Sequence, residues 1–197
     1  MGAQPLDELF AGHAGPWTEQ EWAALPEGMG RVELLDGALV VSPFPAVSHQ
    51  RLVRNLARAL EAAAPVGFEV FDGLNIRVGR DRIMIPDIVV LNEPGLDAVI
   101  VEPDTVALVV EVTSPSNAWI DRLVKPDAYA RAGIPYFLRV DLDHTGTELG
   151  ATSYSLATNG FVASARAARG RLTLEGPFPV DLDLTALATA TRYLPRD

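Results

Sequence analysis

Apolar and polar positions divide the chain into short strand-like runs and four helical stretches. Thr18 and Glu21 stand at capping-box spacing, which predicts a short helix that ends by Pro26, because proline disfavours helix at the residue before it. Residues 31–41 read Arg-Val-Glu-Leu-Leu-Asp-Gly-Ala-Leu-Val-Val, and Asp36-Gly37 between two apolar runs predicts paired strands joined by a two-residue turn. From Ser48 to Ala64, Leu52, Val53, Leu56 and Leu60 share one helical stripe, while Arg51, Arg54 and Arg58 fall on the opposite side. Three strand-like runs follow, Phe68 to Phe71, Leu74 to Val78 and Ile85 to Leu91, divided by Gly73 and by Gly79-Arg80-Asp81. The Pro- and Gly-rich stretch 94–104 reads as a loop with room for one short strand.

Val106 to Val112, V-A-L-V-V-E-V, is apolar on both faces, as expected of a strand covered on both sides at the centre of a sheet. Ser114-Pro115-Ser116 breaks it, a helical stretch runs to about Ala132, Gly133 ends that helix, and Pro135 to Leu142 forms another apolar strand. Strand, helix, strand predicts a parallel crossover, right-handed by default. Further strands are expected near Ser153 to Ala157, Phe161 to Ser164 and Leu172 to Leu174, then a short helix from Leu184 to about Thr191. No repeat, low-complexity tract or linker interrupts the chain. Its 197 residues are read as one domain, with a core at about 31–187 and residues 1–30 as an N-terminal brace.

Composition narrows the function classes. The 16 Lys and Arg against 26 Asp and Glu give a formal charge of −10, which on average repels polyanions and argues against broad coating of nucleic acid. A bound metal ion can override that average field at one site. The absence of cysteine excludes disulfides, thiolate metal sites and cysteine nucleophiles, and it fits a reducing cytoplasm. The first residues, Met-Gly-Ala-Gln-Pro-Leu-Asp-Glu, carry neither the basic stretch nor the apolar core of a secretory signal. The longest purely apolar run, Val106 to Val110, is far shorter than the roughly 20 residues of a membrane helix. A soluble cytoplasmic protein without membrane association is expected. No glycine-rich phosphate loop or zinc-ligand cluster is present.

Glu111 is the most informative residue. An unpaired carboxylate in the most hydrophobic strand would cost several kcal/mol or shift its pKa, so something must compensate for its burial. A cation would do so, and Asp87, which follows Pro86 at the head of Ile-Val-Val-Leu, is the natural second ligand if the two strands are neighbours. Each residue alone has an ordinary structural explanation. The ensemble is more specific: Pro86-Asp87, 23 intervening residues, Glu111-Val112-Thr113, then Ser114-Pro115-Ser116, Asp121, Lys125 and Tyr129, and the strand Pro135 to Asp141.

With these motifs the chain, from about Arg31 to Leu187, resembles the Uma-two family of restriction-endonuclease-like proteins, a branch of the PD-(D/E)XK nuclease superfamily. Arg31-Val32-Glu33-Leu34 with Asp36-Gly37, Ser42-Pro43 and His49-Gln50 also fit the resemblance. It implies an α/β (α+β) fold, a restriction-endonuclease-like mixed β-sheet flanked by helices, with an N-terminal helix and hairpin. It also implies Mg²⁺ (or Mn²⁺) held by Asp87, Glu111 and the backbone carbonyl of Val112, and DNA as substrate. Thr113 stands where the superfamily has the lysine of its second motif, and as in relatives of this branch the implied substitute is Lys125 on the following helix. Asp121, Lys125 and Tyr129, at i, i+4 and i+8, would share a helix face on which Asp121 could pair with Lys125, although Pro126 implies a kink or a helix start near Lys125.

The resemblance makes Glu33 a candidate third acid, against the plainer reading of a strand-edge carboxylate. His49 shares a helical side with Val53 and Leu56, which turns it inward; it is either a general base or metal ligand, or a buried structural histidine. Arg51, Arg54 and Arg58 would follow a phosphate backbone or simply be solvated. The leading expectation is a metal-dependent endonuclease hydrolysing DNA phosphodiester bonds, with Asp87, Glu111, Lys125, Glu33 and His49 as its catalytic set. A homodimer would follow if both strands of a duplex are cut. The competitors are a catalytically degenerate nucleic-acid-binding protein of the same fold and a hydrolase of another phosphoester or of RNA.

Overall fold

A computed structural model of the chain describes residues 13–26, 29–42, 44–113, 123–142 and 149–189. Helix α1 (Glu19–Ala23) begins with the expected capping box, in which Thr18 Oγ1 accepts from the Glu21 N–H and the Glu21 carboxylate accepts from the Thr18 N–H. Strands β1 (Arg31–Leu35) and β2 (Ala38–Ser42) form the expected hairpin. Its turn residues Asp36 and Gly37 both have positive φ, 51° and 80°, as a two-residue turn that matches strand twist requires. A Cβ on Gly37 would lie 2.5 Å from Pro16 Cβ, so the segment before α1 packs where only glycine leaves room.

Helix α2 (Val47–Ala63) buries Leu52, Val53, Leu56 and Leu60, the stripe read from the sequence. Then come β3 (Glu69–Asp72), β4 (Asn75–Gly79), β5 (Arg82–Met84), β6 (Ile88–Leu91) and β7 (Ile100–Val101). Strand β8 (Val106–Thr113), buried along its whole length, is followed by α3 (Lys125–Arg131) and β9 (Tyr136–Leu142). The chain continues with β10 (Leu149–Ala157), β11 (Gly160–Arg166), β12 (Arg171–Leu174), β13 (Val180–Asp183) and α4 (Leu184–Thr189). Strand β13 has no counterpart in the sequence reading; its Val-Asp-Leu-Asp alternation is only four residues long and pairs with β12.

The strands form two larger mixed sheets and a hairpin: β2-β1-β5-β4-β7, β11-β10-β9-β8-β6-β3, and β12-β13. The predicted crossover is present, with β8 and β9 parallel from Leu108↔Tyr136 to Thr113↔Asp141. In the six-stranded sheet the period of two sends alternate residues into two cores. Leu108, Val110 and Val112 face α2, the β12–β13 hairpin and α4. Val109 faces Tyr129 and Ala128 of α3 together with Ile76, Val78 and Met84 of the five-stranded sheet. Cover on both faces explains why β8 is uniformly apolar.

One strand expectation needs correction. Residues 85–91 do not form one strand: only Ile88–Leu91 (β6) is strand, in the six-stranded sheet, while the preceding β5 (Arg82–Met84), absent from the sequence reading, belongs to the five-stranded sheet, so the chain changes sheets through Ile85-Pro86-Asp87. Pro86 has no N–H to give to a ladder, which suits the break. Strand β1 pairs with β5 only through Leu34↔Ile83 and Leu35↔Arg82. Its first residues, Arg31 to Glu33, extend past β5 to the crossing point.

Candidate active site

The acids and bases read from the sequence gather where the chain passes between the sheets. Arg31 and Glu33, two apart on β1, share a strand face, and their side chains satisfy both backbone groups of Ile85. Its N–H donates to Glu33 Oε1 at 2.8 Å, and its carbonyl accepts from Arg31 Nη2. The next acid in the chain, Asp87, is almost fully buried. Its Oδ1 accepts from Arg31 Nη1 at 2.6 Å and its Oδ2 from the Val112 N–H at 2.8 Å.

His49, in the first turns of α2, reaches the same place. Its Nε2 is 3.0 Å from the Val112 carbonyl oxygen and 3.4 Å from Asp87 Oδ2. Both neighbours are acceptors, so Nε2 carries the proton. Nδ1 is buried without a hydrogen-bond partner among the described residues. Burial alone would push the Asp87 carboxyl up, but the His49 hydrogen bond and the Arg31 charge overcome it and hold the group well below the usual carboxylate range. For His49, burial pulls downward, and the Asp87 and Val112 contacts outweigh it and raise the imidazole above its ordinary value of 6.5.

On the other side of β8, Glu111 and Glu33 share one ammonium. Lys125 Nζ is 3.1 Å from Glu33 Oε1 and 3.2 Å from Glu111 Oε1, with all three side chains buried. The Tyr129 hydroxyl donates to Glu111 Oε1 at 2.6 Å. Pro126 falls in the first turn of α3, directly after the π-helical Leu123 and Val124, so the α-helix begins at Lys125 where the wider π turn ends. The expected pairing of Asp121 with Lys125 lies outside the described residues, as do Pro43 and Ser114 to Ser116. Arg31 links the two groups, since its guanidinium is attracted by Asp87, Glu111 and Glu33.

Among the described residues, no three His, Asp or Glu side chains are gathered closely enough to cage a metal ion by themselves. The donors that do converge are mixed. Asp87 Oδ2 and the Val112 carbonyl oxygen meet at His49 Nε2, so the imidazole N–H and a cation are alternatives for the same two oxygens. Both are hard donors of the kind Mg²⁺ and Mn²⁺ favour. Glu111 is the nearest further acid on the strand, with its Oε1 engaged by Lys125 and Tyr129.

A cleft of about 560 Å³ opens over this point, lined by Asp87, His49, Arg31, Asp72, Arg51 and Arg54 among others. Arg58, farther along α2, does not line it. Among the described residues none of the three α2 arginines has a carboxylate partner, whereas Arg31, Arg77, Arg82, Arg131, Arg139 and Arg171 all do. Thr113 does not face a free position. Its hydroxyl donates to Asp141 Oδ1 at 2.7 Å across the parallel ladder.

Sequence reasoning missed three members of the site. The role of Arg31 was signalled by its place two residues before Glu33, which puts both on one face. Asp72, whose carboxyl is raised by burial and by the charge of Asp87, carried no signal, because only the pairing of β3 with β6 brings it to the cleft. Tyr129 was part of the motif, but its bond to Glu111 depends on how α3 lies on β8.

The sequence profile described as "Uma2: Putative restriction endonuclease" matches residues 19–185. Among solved structures, the fold is similar to that of a "putative nuclease belonging to DUF820" from Anabaena variabilis. The TM-score is 0.69 at 17% identity, over 88% of this chain and 99% of that one. No curated protein matches the chain. Among the described residues no helix is long and apolar enough to cross a membrane.

Proposed function

The chain belongs to the Uma2 family, and from that premise we propose that it is a metal-dependent endonuclease that adds water across a phosphorus–oxygen ester bond of DNA. The observation that carries this reading is the meeting of Asp87 Oδ2 and the Val112 carbonyl at one point, on the floor of a cleft whose wall bears Arg51 and Arg54. Asp87, Glu111 and the Val112 carbonyl would hold Mg²⁺ or Mn²⁺. When bound, the ion supplies polarisation of the scissile phosphate and a lowered pKa for the attacking water.

This chain's own residues account for the rest. Asp87 stays ionised at any working pH, because Arg31 and His49 hold its proton off, so a cation meets a ready carboxylate. Lys125 carries a buried positive charge that can offset the charge accumulating on the phosphate. Glu33 fixes Lys125 and Ile85 together, which keeps the ammonium and the chain crossing in register. Arg51 and Arg54, without acidic partners, would take neighbouring phosphates and give an otherwise acidic protein one local attraction for a polyanion.

A second reading is favoured by one observation. Thr113 replaces the second-motif lysine and its hydroxyl is committed to Asp141, which suits a protein that binds nucleic acid and no longer cuts it. Incubation with supercoiled, linear and single-stranded DNA and with RNA, in Mg²⁺, Mn²⁺ or EDTA and alongside Asp87→Ala, decides between them. Cutting of DNA that needs the ion and disappears in Asp87→Ala is expected. Cutting that survives the substitution refutes the assignment, and binding without cutting in either metal selects the second reading.

A further inference from the structure

Two residues at the entry to α2, Phe44 before it and Val47 at its first position, leave large apolar side chains in water. Phe44 is 88% exposed and Val47 70% exposed. Single exposed apolar residues are ordinary, but these two sit beside the cleft: Pro45, next to Phe44, and Val47 both line it, together with Arg51 and Arg54. An exposed aromatic residue therefore stands one position before the lining of a cleft that also carries Arg51 and Arg54, whose charges no carboxylate offsets among the described residues. Proteins hold unpaired nucleotides with this combination, cations taking the phosphates and an aromatic face taking a base. The cleft volume, about 560 Å³, lies within the roughly 300–1,000 Å³ of pockets that enclose small organic ligands, the scale of one or two nucleotides.

We propose that Phe44 is a stacking platform for an unpaired base of a DNA strand whose phosphates lie along Arg51 and Arg54, so that the cleft prefers single-stranded or locally opened DNA to intact duplex. The inference rests on the reading of the cleft as a nucleic-acid site and deepens it by naming the form of the substrate. A duplex hides its base faces in its own stack. An unpaired strand offers one to Phe44 and leaves its backbone free to follow α2.

The test measures binding by fluorescence anisotropy in EDTA, where no strand is cut. The probes are a short oligothymidylate, a strand of equal length and charge built from abasic units, and a blunt duplex. The parent protein should bind oligothymidylate most tightly. Phe44→Ala should weaken that affinity about tenfold, within the range of base–aromatic stacking, and leave abasic and duplex affinities unchanged. The slope of affinity against salt should also stay the same, because no charge is removed. Phe44→Trp should retain the parent's preference.

Equal binding of oligothymidylate by Phe44→Ala and the parent overturns the platform, as does an equal loss on oligothymidylate and abasic strands or a parental preference for duplex. If the parent binds none of the three probes, nucleic-acid recognition itself fails, and the platform falls with it. That outcome differs visibly from one in which binding persists and only Phe44 proves irrelevant. Phe44 is so exposed that its substitution should leave the melting temperature unchanged, which separates loss of contact from loss of fold.

Discussion

Replacing Lys125 by methionine tests the electrostatics of the site most directly. Lys125 is 4% exposed, and its Nζ lies 3.1 Å from Glu33 Oε1 and 3.2 Å from Glu111 Oε1. Methionine fills similar space and removes the charge, leaving two buried carboxylates close together with their shared cation gone. Removing one partner of a buried ion pair costs about 3–5 kcal/mol. For a chain of this size that corresponds to a fall of about 6–20 °C in melting temperature, at roughly 2–4 °C per kcal/mol. Urea titrations at neutral pH, without divalent ions, should show the loss in the midpoint at unchanged slope.

Adding Glu33→Gln to Lys125→Met should recover most of the stability. The amide oxygen can still accept the Ile85 N–H, and only one negative charge remains, on Glu111, which keeps its Tyr129 hydrogen bond. A loss below about 1 kcal/mol would mean that water screens the three groups more than their burial implies. A double variant no more stable than the single one would refute the shared-cation account altogether.

Tyr129→Phe removes a fully buried hydroxyl that donates to Glu111 at 2.6 Å, and it should cost about 1.5–3 kcal/mol in urea unfolding, as for hydrogen bonds to charged groups; a loss of a few tenths would show that the bond is dispensable. The stability of the ion-free protein should fall as pH rises above about 6.5. His49 binds its proton more tightly folded than unfolded, so its contribution is complete below the ordinary value of 6.5 and disappears as pH passes the raised folded value. His49→Asn should flatten that part of the profile, and an unchanged slope would contradict the raised pKa. Asp87 works in the opposite sense: its depressed carboxyl stabilises the fold above the ordinary 3.8 and loses that contribution as pH drops toward the folded value, so Asp87→Asn should soften acid unfolding.

Much of this protein can be read residue by residue along the chain. The capping box at Thr18, the Asp36-Gly37 turn, the α2 stripe of Leu52, Val53, Leu56 and Leu60, and the doubly buried β8 all follow from spacing, because these signals are local and repeat at the helix or strand period. Glu111 announced itself for the same reason, as a charge inside an apolar run. Tertiary structure decided what that charge meets. The division of residues 82–91 between two sheets, the arrival of Arg31 at Asp87 across 56 positions, and the commitment of Thr113 to Asp141 all depend on which strands become neighbours. Strand pairing is settled by the packing of whole faces against each other, to which no single stretch of residues has access. A pattern read along the chain could therefore name the acids, but only the assembled sheets could say that Arg31, Lys125 and His49 are the groups that hold them.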